Sequence, residues 1–473
     1  TIYGKNAGDA LASGGNYNVV IGEDAAGGLT TADNSIAIGF EALKVHTTGG
    51  NNLAIGFKAM VDTDAGSTSL ASVDNIFIGR FTGGGTWVDS ASSQNIGIGN
   101  SVMDAAMDAA LGNVGIGHSA LTALTTGDYN VAIGTEAAAA LTSGAGNVAI
   151  GEGAGVATTA GTNMVIIGKA AGSGNLTTGA DGAILIGFQS GLALTSGGRN
   201  TAIGYQALSA ATALTHNVAI GWQTMKDSSA TTSHRNIGIG SFVMDSIGAN
   251  VANDNVAMGY NNLTNLSTGD NNTVLGSQAG VQLATGSGNV VMGYQAGDAL
   301  VGGDDNIIIG TSAGIATTAG TNMVIIGKGA GTHVIQSGAA GTVAVGYESL
   351  YELTSGANNT GIGYRTLKAL VSGASNTAVG RESGDAINTG GHNTLVGHAS
   401  GSAITDGNFN TAVGKNACGE GNCSSNSAVG YEALKVVTGG NNIAIGLQTG
   451  VALIGGADNT LLGKGAGRTL TTG

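Results

Sequence analysis

Asn52-Leu53-Ala54-Ile55-Gly56 is a short phrase that returns along the whole chain, as Asn130-Val131-Ala132-Ile133-Gly134, Asn200-Thr201-Ala202-Ile203-Gly204 and Asn442-Ile443-Ala444-Ile445-Gly446. Its closing glycine stands at 27 positions from Gly4 to Gly463, and 16 of the 26 intervals between them equal the step from Gly117 to Gly134. A fixed period this short, about 17 residues, means one small supersecondary unit stacked many times, not a globular domain folded around a pocket. Residues 1–473 therefore read as one continuous β-solenoid.

Composition agrees with that reading. Proline is absent and glycine makes up 87 of 473 residues. A chain without proline suits a backbone whose N–H groups are nearly all wanted by a neighbouring strand. Charged residues are 10 % and hydrophobic ones 42 %, the balance of an ordered chain. The formal charge of −14 argues against nucleic acid as a partner, which needs a basic face. No apolar stretch approaches the length of a membrane span, so no membrane insertion is expected. Thr1 and Gly473 both fall inside a phrase, as in an ordered stretch cut from a longer protein.

With each glycine as position 0, position −1 is Ile, Val, Leu or Met in every coil after the first, and −3 is Val, Ile, Leu, Thr or Ser. These two positions share one side of a strand and are expected to fill the coil's own core. Position −2, between them, is never charged or polar; apolar residues on both sides of a strand imply that both sides are covered. Ala54, Ala132, Ala202, Ala378 and Ala444, at −2, are accordingly expected to face a second copy of the chain. Position −4 is Asn in 21 of the 26 coils from Gly22 onward, the exceptions being Ser35, Met164, Ala183, Met323 and Thr342. Asn52, Asn130, Asn200, Asn272, Asn359 and Asn442 are expected to cap turns and to form a ladder of stacked amides. The run after the glycine, such as Tyr205-Gln206-Ala207-Leu208, reads as a second strand. Two strands and two corners account for the whole period, a β-roll, with a three-sided coil as the alternative. At about 4.8 Å per coil the repeats would build a rod of roughly 125 Å.

The segment 117–221 recurs as 276–380 at a constant offset, and Gly161 to Lys169 is repeated letter for letter at Gly320 to Lys328. A stack tolerates such copying because each coil touches only its neighbours. The coils at 57–99 are irregular, with surplus residues at Asp62 to Ser72 and at Gly83 to Ser93, the latter carrying Trp87; loop tolerance is the favoured reading over a binding face.

Chemistry has little foothold. The seven histidines (His46, His118, His216, His234, His333, His392, His398) show no metal spacing, and Cys418 and Cys423 have no companions for zinc. Free thiols are slightly favoured over a local bridge for that pair. Asp304-Asp305-Asn306 resembles a calcium turn without the rest of the motif. Gly151-Glu152-Gly153-Ala154-Gly155 lacks the Lys-Ser/Thr of a phosphate loop. No cofactor, metal or catalytic residue is expected, and the chain is not read as an enzyme. Position +1 carries 10 of the 19 aromatic residues. Tyr205, Trp222, Tyr260, Tyr294, Tyr347 and Tyr364 are the candidate contacts for a host glycan or receptor; shielding of the groove between packed chains is the favoured alternative.

At Arg199-Asn200-Thr201-Ala202-Ile203-Gly204-Tyr205-Gln206-Ala207-Leu208 the chain resembles the repetitive shaft of bacteriophage tail fibres, especially those that end in an endosialidase-type intramolecular chaperone. At Asn34-Ser35-Ile36-Ala37-Ile38-Gly39 it also resembles the heads of trimeric autotransporter adhesins, whose shorter repeat makes the phage group the nearer match. The resemblance implies a homotrimer, and the adhesin heads a left-handed coil. It implies a structural virion fibre segment that presents a receptor-binding tip and mediates host-surface attachment, with other fibre or tail proteins and a host surface glycan or receptor as partners. The alternative is an adhesin on the bacterial cell surface. An ice-binding solenoid ranks below both, because the threonines sit mainly at Thr-Thr-Gly corners.

Overall fold

The computed structural model describes residues 1–63, 72–88, 90–228, 233–248 and 251–472. The surplus residues expected to loop out of the coil closed by Gly79 lie largely outside the described residues. Two compact units divide the chain, the first taking in Thr1–Ile239 and the second Gly240–Gly248 and Ala252–Gly473. Each is a parallel β-solenoid. In the first, every strand from β1 (Ile2–Tyr3) to β13 (Val218–Ile220) pairs with the next in sequence, and β13 pairs with Ile237–Ile239 of β14 (Ile237–Ser241). In the second the same succession runs from β15 (Val256–Tyr260) to β27 (Thr460–Leu462). In the strand pairs just described the register does not slip: Ala202 lies opposite Ala219 and Ile203 opposite Ile220, phrase on phrase.

Strand polarity is the reverse of the sequence expectation. From β2 (Val19–Ile21) to β26 (Ile443–Ile445), position −2 is buried while −3 and −1 are half-buried or exposed. Ala54, Ala132, Ala202, Ala378 and Ala444 thus point into their own coil and are fully buried by a single chain. They cannot be the surface that meets another copy. The physical reason is space. The buried Asn at −4 lies on the same side of the strand as −2, and Leu or Met at +4 and Leu or Ile at +7 enter from the opposite wall, as Leu208, Met225, Leu194 and Ile404 do. Little room is left at −2. Where −2 is large, +4 is glycine: Phe77 pairs with Gly83, Leu185 with Gly191 and Leu395 with Gly401. A Cβ on Gly401 would stand 2.8 Å from Leu395 Cδ2, and one on Gly191 2.7 Å from Leu185 Cδ2. Where −2 is alanine, +4 can be large, as Leu208 is beside Ala202 and Met225 beside Ala219, or glycine, as Gly384 is beside Ala378, where Leu367 and Leu395 of the neighbouring coils take the space.

The second strand of the expected β-roll is not formed. Gly204 has φ +133° and is followed by Gln206 at +52° and Leu208 at +56°, and alternating left-handed residues cannot make an extended strand. The run is a chain of turns held coil to coil by its backbone: Gln206 N–H donates to Phe188 O at 2.9 Å and Leu208 N–H to Thr224 O at 3.0 Å. Glycine at position 0 answers a second demand, since a Cβ on Gly204 would lie 2.2 Å from the carbonyl oxygen of Gly221. Besides strands and turns, the described residues contain two single turns of 3-10 helix, Thr178–Ala180 and Ser337–Ala339.

The asparagines form the polar spine. Asn376 donates from Nδ2 to Asn359 Oδ1 (3.1 Å) and to the Gly390 carbonyl (2.9 Å), and its Oδ1 accepts the backbone N–H and Nδ2 of Asn393 (3.1 and 3.0 Å). All the capacity of a buried amide is met. Asn130, Asn272 and Asn442 repeat the pattern, each bonded to the asparagine one coil earlier. Asn52 passes its Oδ1 to Asn75 in the same way. Asn200 and Asn359 follow coils without asparagine, and their Nδ2 groups turn instead to Gly197 O and Gly356 O. The left-handed residue of this corner is not the asparagine but its predecessor, for example Asn51, Tyr129, Arg199 or Asn358.

Candidate functional site: the outward strand face and its flanks

Because −2 and −4 turn inward, −3 and −1 form the outward face of the sheet. In the first unit it runs through Ile36, Ile38, Val131, Ile133, Val148, Ile150, Val218 and Ile220; in the second, through Val290, Met292, Ile307 and Ile309 to Ile443 and Ile445. Ile133, Ile184, Ile307, Ile362, Val396 and Ile443 are each more than a third exposed. No coil carries a charged residue at either position. From Thr360 the −3 row turns to hydroxyl-bearing residues, Thr377, Thr394 and Thr411 in register, while −1 stays apolar. Rows of aligned β-branched side chains facing outward amount to an apolar patch well beyond the scattered exposure usual on a soluble monomer.

The aromatic residues of position +1 border this face, stacking on one another at the coil spacing. Tyr205 lies between Phe188 and Trp222, with ring centroids 5.3 and 4.1 Å away and planes within 14° and 10° of parallel. Both its faces are occupied, so it has none for a sugar. Tyr347 stacks on Tyr364 at 5.3 Å, and the guanidinium groups of Arg365 and Arg381 lie 5.2 and 5.6 Å from the Tyr364 ring. Tyr260 and Tyr294 differ: Ser277 and Thr311 follow them in the column, and each is 51 % exposed. Phe242 meets Tyr260 only edge-on, at 6.1 Å. Of the six residues read as glycan contacts, Tyr260 and Tyr294 keep the most accessible rings. Trp87 is fully buried edge-on against Phe77 at 5.9 Å, so its coil does not display it.

Charged residues tie coils together on the flank. Glu41 meets Lys44 at 2.6 Å and Lys58 at 3.3 Å, and the hydrogen bond from Lys44 holds its carboxyl below the usual range. Burial pushes Glu348 upward, but hydrogen bonds from Tyr347, Lys368 and Arg365 outweigh it and leave the carboxyl lowered. Asp104, Asp298 and Asp385 go the other way, raised chiefly by burial. Asp304 is a structural acceptor, taking the Ser287 N–H at 2.8 Å. His46 is buried between the Thr63 hydroxyl and the Gly49 carbonyl. Cys418 and Cys423 are buried free thiols; a hydrogen bond with Cys423, then burial, drives the Cys418 thiol well above its ordinary value. They lie in a shortened coil, Gly414 to Gly430, where Gly421 takes the +7 slot of the core leucine. Among the described residues no group of three or more His, Cys, Asp or Glu could hold a metal ion, and no helix is long and apolar enough to cross a membrane.

No protein-family model, curated protein or solved structure matches the chain.

Proposed function

We propose that the chain is a segment of a phage tail-fibre shaft, a homotrimer whose copies pack through their outward strand faces and hold a receptor-binding tip away from the virion. The observation that carries this reading is the uncharged apolar face of positions −3 and −1, which a single chain leaves uncovered. Identical faces without charge can meet without like-charge repulsion, and aligned β-branched rows interdigitate well. In such an assembly the stacked aromatics of position +1 border the seams between copies. Tyr260 and Tyr294 are the residues best placed to touch a host surface glycan. Other fibre or tail proteins would join the shaft at its ends. Light scattering tests the core of the proposal: a particle of three times 45.7 kDa is expected, and a monodisperse monomer at micromolar concentration overturns it.

A second reading, a trimeric adhesin on the bacterial cell surface, uses the same face and the same trimer. The exposed rings of Tyr260 and Tyr294 serve it equally, and a membrane-anchoring barrel encoded beside this segment would favour it. The row Thr360, Thr377, Thr394 and Thr411 bears on the ice-binding reading. It offers one threonine per coil beside Ile362, Val379, Val396 and Val413 where that reading needs two. Absence of thermal hysteresis is the expected result.

A further inference from the structure

The column at position −5 is left-handed, its side chains stand outward, and in three successive coils it holds Arg199, His216 and Arg235. This is unusual in a chain with 16 Lys and Arg against 30 Asp and Glu. Arg199 Nη1 lies 3.2 Å from His216 Nε2; a guanidinium only donates, so the imidazole nitrogen is the acceptor in that contact. Among the described residues Arg199 forms no ion pair. Beside the pair is an open groove of about 300 Å³, also lined by Thr178, Asp181 and Thr215. Asp181 Oδ1 accepts the Thr162 N–H at 2.8 Å, which fixes its carboxylate, and the Thr215 hydroxyl meets His234 Nδ1 at 2.5 Å.

The duplicated block supplies an internal comparison. At the offset that carries Gly117 onto Gly276, Asp181, Arg199, Thr215 and His216 become Ala340, Asn358, Ala374 and Ser375. The 3-10 turn at Thr178–Ala180 has its counterpart at Ser337–Ala339, and Arg199 and Asn358 share φ +57°. The backbone therefore does not require an arginine, a histidine or an aspartate at these places. In the first copy they add a cation, an acceptor carboxylate, an imidazole and the Thr215 hydroxyl around one depression.

The geometry points to a binding site in this groove for a carboxylate-bearing sugar residue. Arg199 would pair with the sugar carboxylate through its unused guanidinium N–H groups, a fork that matches two carboxylate oxygens. Asp181 would accept a hydrogen bond from a ring hydroxyl, and the hydroxyl of Thr178 would bond another. An inorganic anion would gain nothing from Asp181 and would be repelled by it; a sugar acid uses both. The groove is the size of one sugar residue at the small end of ligand sites. The inference holds whether the chain is a phage shaft or an adhesin, since it concerns only side chains of the first unit.

Calorimetry of the intact protein with digalacturonate, a neutral galactose disaccharide and inorganic phosphate tests it. Digalacturonate is expected to bind, the neutral sugar not measurably, and phosphate to compete only weakly. Arg199→Asn and His216→Ser install the residues that the second copy already carries, so the fold should survive; Arg199→Asn should cost about tenfold or more in affinity, the loss of a charge-assisted pair. Placing Ala340→Asp, Asn358→Arg and Ser375→His together should add a second site per chain, read as a doubled stoichiometry. Equal binding of the neutral sugar, equal potency of phosphate, undiminished affinity in a folded Arg199→Asn protein, or no binding of digalacturonate would each overturn the proposal.

Discussion

A buried amide with every bond closed is costly to interrupt. Replacing Asn376 with alanine removes two donors and an acceptor at once; it strands the Gly390 carbonyl and two N–H groups of Asn393 and leaves Asn359 Oδ1 with only the backbone N–H of residue 376. A loss of about 3 kcal/mol is expected from groups left unsatisfied in the core, measurable as a lowered thermal midpoint. Asp385 should respond in the opposite sense. Its Oδ1 is buried without a hydrogen-bond partner among the described residues, and burial followed by nearby Glu382 raises its carboxyl. A group raised in the folded state holds its proton longer there than in the unfolded chain, so it lowers stability as pH rises through the carboxylate range. Asp385→Asn should therefore stabilise the protein at pH 7 by roughly 1 kcal/mol, and melting curves taken at falling pH should show that gain disappearing once the native aspartate is protonated. The asparagine ladder is readable in the letters because one residue type recurs at one place. The direction of the alanines is not. Ile and Val are more apolar than Ala, so hydropathy alone places them inside, but the interior beside the strand is narrow, and size decides what enters. The signal that could have revealed this is that −2 and +4 are never large together: Phe77 goes with Gly83, and Leu208 with Ala202.

That relation makes each coil a small packing unit whose parts can be exchanged. Leu395→Ala should lose about 2–4 kcal/mol through the cavity it leaves. Adding Gly401→Leu reproduces the Ala202 and Leu208 arrangement, since Leu208 itself sits at φ +56°. The double variant should recover most of the loss, and a thermodynamic cycle should give a large favourable coupling; simple additivity of the two changes would refute complementary filling. The parallel strands, their shortness and the length of the coil follow from the periodicity of the sequence. The turn run after each glycine does not, because Gln206, Leu208, Glu348 and Leu350 are ordinary residues held at positive φ by their neighbours in the stack. Left-handed backbone at leucine has no sequence signature of its own. It is sustained by bonds such as Leu350 N–H to Thr366 O at 2.9 Å and by burial of the side chain.

At the scale of the molecule, the outward face sets the expected assembly. Ile133→Lys and Ile150→Lys together place charges on neighbouring coils of that face without touching the coil interior. If copies pack there, the particle mass should fall toward that of one chain while the circular dichroism spectrum persists; an unchanged trimer would locate the interface elsewhere. The same substitutions should not alter binding in the Arg199 groove, which lies off the strand face. The sequence could state that both sides of the strand are apolar, and so that something must cover the outer one. It could not say which residues that side would show.

The asparagine spine is also interrupted, at Ser35, Met164 and Ala183 in the first unit and at Met323 and Thr342 in the second. Met164 still donates its backbone N–H to Asn147 Oδ1 at 3.0 Å, and Met323 does the same to Asn306, but neither passes an amide onward. The spine is thus a series of fuses. Pulled lengthwise, each unit should yield first between the coil that receives the last amide and the one where the next series begins. A molecule stretched between two anchors would then lengthen in discrete steps at those gaps, sparing the coils on either side.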